Sequence, residues 1–133
     1  MTQPRGIRNH NPGNIELGTD WDGLSEVQTD GRFCQFDDPV YGIRAMARIL
    51  KTYSNRYGIN TIYNAIARWA PPFENDTKSY AAFVASYVNV DMDDVIDIGS
   101  DEVLCSMLPA MIKMENGVMP YDYSQIKKGV SLA

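Results

Sequence analysis

Among the seventeen carboxylates of this chain, one stands where a run of apolar helical residues ends. Counting back from Glu115, Met111 lies four residues earlier, Leu108 seven and Leu104 eleven. Those intervals share one helical face, so the spacing predicts Glu115 on the apolar stripe rather than on the solvent side. Asn116-Gly117 supplies a stop, because Gly117 can take the left-handed conformation that ends a helix. A carboxylate there is opposed by the negative end of the helix dipole and by loss of water among methionines and leucines. Both effects raise its pKa, as a general acid working near neutral pH requires. The plainer alternative is a solvated glutamate at a helix end. Pro109 either kinks the helix or opens a new one, and the register from Met111 to Glu115 survives both outcomes.

Cleaving a glycosidic bond takes a protonated acid and usually a second carboxylate, which stabilises positive charge or activates water. Glu16 and Glu74 are the candidates for that second role, with Asp20 and Asp22 around Trp21 behind them. Each could equally be solvated, and Glu74 could simply favour the start of a helix. Sugar rings pack on flat aromatic surfaces, for which Trp21, Trp69, Tyr80, Tyr121 and Tyr123 are available. Trp69 and Tyr80 fall on helix core faces, whereas Tyr121 and Tyr123, in an irregular tail, are expected to be partly exposed. Arg5, Arg8 and Arg68 could meet a carboxylate-bearing substrate or serve as surface charges. A Cys34–His10 nucleophile pair is the remaining arrangement, without a distinctive motif around Cys34.

The elements that would position these groups are mainly helical. Asp38-Pro39 reads as an N-cap with proline at the first helical position. Ile43, Met46, Ala47, Leu50 and Tyr53 follow at helix spacing until Gly58. A second helix starts near Asn60-Thr61 and ends at Pro71-Pro72. A third begins after Asn75-Asp76 and should bury Tyr80, Phe83, Val84 and Tyr87. The acidic stretch 91–97 reads as a loop anchored by Val95-Ile96, and Ser100 caps the last long helix. The tail from Pro120 is expected to pack back over the body. Residues 1–31 are rich in Gly, Asn, Pro and Asp, with turns at Asn11-Pro12-Gly13-Asn14, Asp22-Gly23 and Asp30-Gly31. Short extended pieces at Ile15–Leu17 and Arg32–Phe36 suggest a small ribbon. The expectation is a mainly α (α+β) domain over residues 1–133, with four or so helices and an N-terminal β ribbon. Lysozyme-like folds, in which a cleft divides a helical lobe from a ribbon lobe, belong to that class.

Composition narrows the partners. Of 133 residues, 44% are hydrophobic and 22% charged, ordinary globular usage for one domain. A net charge of −5 argues against general nucleic-acid binding and against attachment to acidic lipid. No apolar run reaches the length of a membrane span, and residues 1–14 lack a signal peptide's apolar core, so synthesis in the cytoplasm is expected. A single histidine, His10, and two cysteines, Cys34 and Cys105, leave no obvious metal site or disulfide.

Several strings are more particular than composition. RGIRNHNPGNIE (5–16), WDG (21–23), DGRFCQFDDPVYGIRAMARIL (30–50), RWAPPFENDTKSY (68–80) and MIKMENGVMPY (111–121) occur in order over nearly the whole chain. Together they resemble a family of phage structural and virion-associated proteins described as lysozyme-like or muralytic. His10 stands where asparagine is commoner. The first half is also similar to the stretch that follows the catalytic helix of flagellar-type N-acetylglucosaminidases. MIKMENG resembles the acid-bearing helix end of lytic transglycosylases. Only thirteen residues precede Asn14, so the two likenesses together imply a circular permutation that carries the acid helix to the C-terminal side. The resemblance implies a glycosidase acting on peptidoglycan glycan strands at the bacterial wall, carried by or assembled with other virion proteins, without metal or cofactor. It implies Glu115 as acid with Glu16 in reserve, and Asn14, Asn75, Thr77 and Tyr80 as residues that position sugar or acid.

Overall fold

A computed structural model describes residues 3–70 and 76–133. Six helices occur among them: α1 (Arg5–Arg8), α2 (Pro39–Tyr57), α3 (Ile62–Trp69), α4 (Thr77–Val88), α5 (Asp101–Asn116) and α6 (Tyr123–Leu132). None is long and apolar enough to cross a membrane. Five start where a side chain accepts from an N–H left without an intrahelical partner, α6 through Asp122 as described below. The caps Asp38, Thr61, Asp76 and Ser100 accept from the backbone N–H groups of Val40, Asn64, Ser79 and Val103. Left-handed Gly58 and Gly117 close α2 and α5. α5 runs through Pro109 as one helix.

The core forms where α2, packed on α6 and α5, meets the α3–α4–α5 group. Met46 and Leu50 of α2, Ile66 of α3, Val84 of α4 and Leu108 and Met111 of α5 are fully enclosed. Removing each such side chain from water contributes about 1.5–3 kcal/mol, against the entropy of ordering it. The tail that was expected to fold back does so as a helix. Asp122 and Gln125 form a capping box at its start, and Ile126 and Val130 enter the core.

Three expectations are corrected. The ribbon shrinks to two isolated antiparallel bridges, Glu16–Phe33 and Leu24–Phe36. Side chains take over the backbone groups that would extend the ladder. Gln28 Oε1 accepts from Gln35 N at 2.7 Å, Gln35 Oε1 from Thr29 N at 2.6 Å, and Asp30 Oδ1 from Arg32 and Phe33 N. In α4, Tyr87 lies outside the core with its ring tilted against Phe83, because the buried stripe runs through Ala81, Val84 and Ala85. In the acidic loop Val95 is 75% exposed, so only the Ile96 half of the expected anchor packs against the core, joined by fully buried Ile98 just beyond.

Candidate active site

The front segment is knotted together by asparagines. Buried Asn11 donates to the carbonyls of Ile15 and Cys34 and accepts from Ile15 N, at 2.9, 2.9 and 3.0 Å. Its amide thus fixes the Asn11–Ile15 turn against the stretch after Asp30. The turn places Asn14 in the left-handed region, with φ of 50°, which asparagine tolerates better than most residues. From the other end of the chain, Asn116 donates to the carbonyl of Pro12 at 2.8 Å and of Ile112 at 3.0 Å. That contact, between residues 104 positions apart, clips the end of α5 to the Asn-Pro-Gly-Asn turn.

Gly6 lets this happen. A Cβ there would sit 2.5 Å from Asn116 Oδ1, 2.7 Å from Asn14 Oδ1 and 2.8 Å from the Asn11 carbonyl. Only a residue without a side chain allows α1 so close to the clip.

Glu115 therefore stands at the junction of α5 and the front turn. It is half-buried and lines a groove of about 500 Å3, which also takes in Asn14, Glu16, Arg32, Phe33 and Trp69. Small-molecule sites span about 300–1,000 Å3. Glu115 Oε2 accepts from the Tyr80 hydroxyl at 2.9 Å. Burial raises the carboxyl's pKa, and the Tyr80, Asn14 and Trp69 side chains oppose that shift by favouring the charged form. Burial, and then the neighbouring Glu115 charge, push the Tyr80 phenol far above its ordinary value, so it remains a donor. Burial and the fixed Tyr80 donor thus set a carboxyl whose pKa is raised at the edge of the groove, where a ligand can reach it.

The second carboxylate on this groove is Glu16, on the front segment. It is exposed and paired with Arg32 at 3.1 Å. Arg32 also lies 4.8 Å from the centre of the Phe33 ring, which Arg5 approaches at 4.7 Å. Arg5 forks onto Asp30, with Nε to Oδ2 at 2.8 Å, and holds its carboxyl well below the ordinary range. Arg5 is thereby committed to structure. Asp22 pairs with Arg44 at 3.3 Å.

A second groove, of about 410 Å3, adjoins the first across Ile15, Ile49 and Tyr53 and is lined further by Trp21, Arg48, Tyr57 and Arg68. Trp21, expected at a sugar site, is in this extension. Thr77 is buried at the start of α4. Of the two tail tyrosines, both expected to be partly exposed, Tyr121 is the correction. Tyr121 is only 8% exposed, and burial and nearby Asp38 push its hydroxyl up to about 12. Tyr123 is exposed at the start of α6, beside Cys105. Neither lines the described grooves, because the tail folds onto α2 instead of turning back over Glu115. Glu74 and Asn75 lie outside the described residues. His10 Nδ1 is engaged with the Phe36 carbonyl at 3.1 Å, and buried Cys34 has its thiol pKa raised by burial. The pair lacks the arrangement that activates a thiolate.

Trp69, a sugar-face candidate that spacing placed on a core face, lines the groove, and Asn116 as the clip was missed. Trp69 is the last residue of α3, where a side chain on the core face can emerge at its edge. Asn116 had signalled only a helix stop.

No protein-family model matches the chain. It is 47% identical over 129 residues to Protein P5 of Pseudoalteromonas phage PM2, an alignment that takes in 94% of this chain and 79% of the relative. At that identity and coverage, the chain belongs to the family of this phage protein.

Proposed function

We propose that the protein is a peptidoglycan-degrading glycosidase of muramidase or lytic transglycosylase type, within a lysozyme-like architecture. The observation that carries this reading is the Glu115 carboxyl, half-buried in a groove, held by Tyr80 and raised in pKa by burial. In the proposed reaction Glu115 gives its proton to the oxygen between two amino sugars as the bond to the anomeric carbon breaks. The positive charge that develops is met by Glu16 on the far side or by the substrate's own N-acetyl oxygen. Water, or a hydroxyl of the same sugar, then completes the cleavage. Asn14 and Tyr80 hold the acid, and Trp69 offers a ring to a sugar face. The phage origin of the relative is consistent with a virion component; action at the bacterial wall is part of the proposal.

A virion protein that binds glycan without cutting it is the second reading. The Glu16–Arg32 ion pair favours it, since the partner carboxylate is already engaged. Purified wall incubated with the protein, followed by mass analysis of what is released, separates the two. Cut glycan favours the first. Retention on the wall with no soluble fragments favours the second and ends the first.

A further inference from the structure

On a chain with net charge −5, the extension of the groove carries the opposite sign. Its described lining contains Arg48 and Arg68 and no carboxylate. The Arg68 guanidinium lies 3.9 Å from the centre of the Tyr57 ring and 5.4 Å from that of Tyr53. Stacking on two rings holds the guanidinium plane in place while its edge N–H groups remain available. Among the described residues no carboxylate pairs with Arg68. Arg48, on α2, is exposed and donates through Nη1 to the Ala133 oxygen at 3.3 Å, which leaves further donors on the same fork. Thr19 and Thr52 hydroxyls complete a polar, cationic and aromatic lining.

We infer that this extension is a subsite for a carboxylate that hangs from the glycan, with Arg68 as its principal contact and Arg48 as the second. The inference rests on the proposed peptidoglycan reading and specifies its substrate as a strand that bears acidic side groups, in place of a neutral amino-sugar polymer. The two grooves share Ile15, Ile49 and Tyr53, so a sugar beside Glu115 would direct its substituent along Tyr53 towards Arg68. A planar fork matches a carboxylate through two parallel hydrogen bonds, and the sign of the lining excludes a cationic substituent.

Binding by the Glu115→Gln protein tests this, using calorimetry on three uncleaved probes. The first is a neutral N-acetylglucosamine oligomer, the second a glycan fragment stripped of peptide so that only its lactyl carboxylates remain, and the third a fragment with intact acidic stem peptides. Arg68→Ala and the Arg48→Ala/Arg68→Ala double variant should weaken binding of a carboxylate-bearing probe about tenfold or more, and leave the neutral oligomer unchanged. Loss on both charged probes assigns the lactyl group as the source, whereas loss on the third alone assigns the stem. Equal weakening of all three, no weakening of any, or no measurable binding of either charged probe overturns the subsite. Wall lysis by Glu115→Gln would instead remove the catalytic assignment and leave this comparison of affinities standing.

Discussion

At the scale of single residues, the chemistry turns on the contact between Tyr80 and Glu115. Two opposed influences act on that carboxyl: burial favours the neutral acid, and the Tyr80 hydrogen bond favours the anion. Glu115→Gln keeps the shape and an acceptor but removes the transferable proton. Turnover of purified wall should fall by a factor of about 10²–10⁴ while the melting temperature at neutral pH stays level or rises. Turnover equal to wild type would show that another group is the acid. Tyr80→Phe tests the second influence. Without the phenol the anion loses a partner, so the Glu115 pKa should rise further. The limb of the pH–rate profile on which activity is lost with rising pH should therefore move to higher pH, at a stability cost of about 1–3 kcal/mol. A limb that stays in place would separate Tyr80 from the chemistry.

At the scale of elements, the site depends on how α1, the Asn11–Ile15 turn and the end of α5 meet. Gly6 is the closest point of that junction, and one of the three atoms a Cβ would meet is a backbone oxygen that cannot rotate away. Gly6→Ala should destabilise the protein by about 1–3 kcal/mol in denaturant unfolding. Because the other two atoms belong to Asn14 and Asn116, it should also lower turnover more than an unrelated substitution of equal stability cost. A loss of stability with full turnover would show that the junction does not position the acid. This junction is also where the sequence is least readable. Asp38, Thr61, Asp76 and Ser100 declare helix starts through local chemistry, and the four helices follow. The Glu115 register is likewise local, since i, i+4 and i+7 spacing survives any packing. The Asn116–Pro12 clip joins positions 104 apart, and no periodicity announces it. The same holds for the tail: Ile126 and Val130 give too few apolar positions to declare a helix, and α2 supplies the surface that makes one worthwhile. The ribbon erred the other way, because Gln28, Gln35 and Asp30 compete with backbone partners.

At the scale of the whole molecule, these groups predict an unusual dependence of stability on pH. Asp30, Asp76 and Asp122 have carboxyl pKa values below the ordinary 3.8, held there by Arg5 on Asp30, Ser79 on Asp76 and Ser124 on Asp122. The stability they contribute is complete above about 3.8 and is lost as pH falls through their folded values. Glu115 works in the opposite sense. Its folded pKa lies above the ordinary 4.5, so the folded state holds that proton longer than the unfolded chain does. Below 4.5 the group costs nothing; as pH rises from there through the folded value, stability declines. Self-repulsion adds to that decline as the chain moves from its isoelectric point near 4.7 towards −5. The melting temperature should therefore peak in the mildly acidic range, near pH 4–5, rather than at neutrality. Salt separates the two causes of the alkaline decline, because it screens dispersed surface charge within about 10 Å at 0.1 M but does not restore water to a buried carboxyl. In thermal scans from pH 3 to 9 at high salt, wild type should keep a downward slope above pH 4.5 that Glu115→Gln lacks. Parallel curves for the two proteins would mean that Glu115 is no harder to ionise in the fold than in the open chain, and the acid would lose its physical basis.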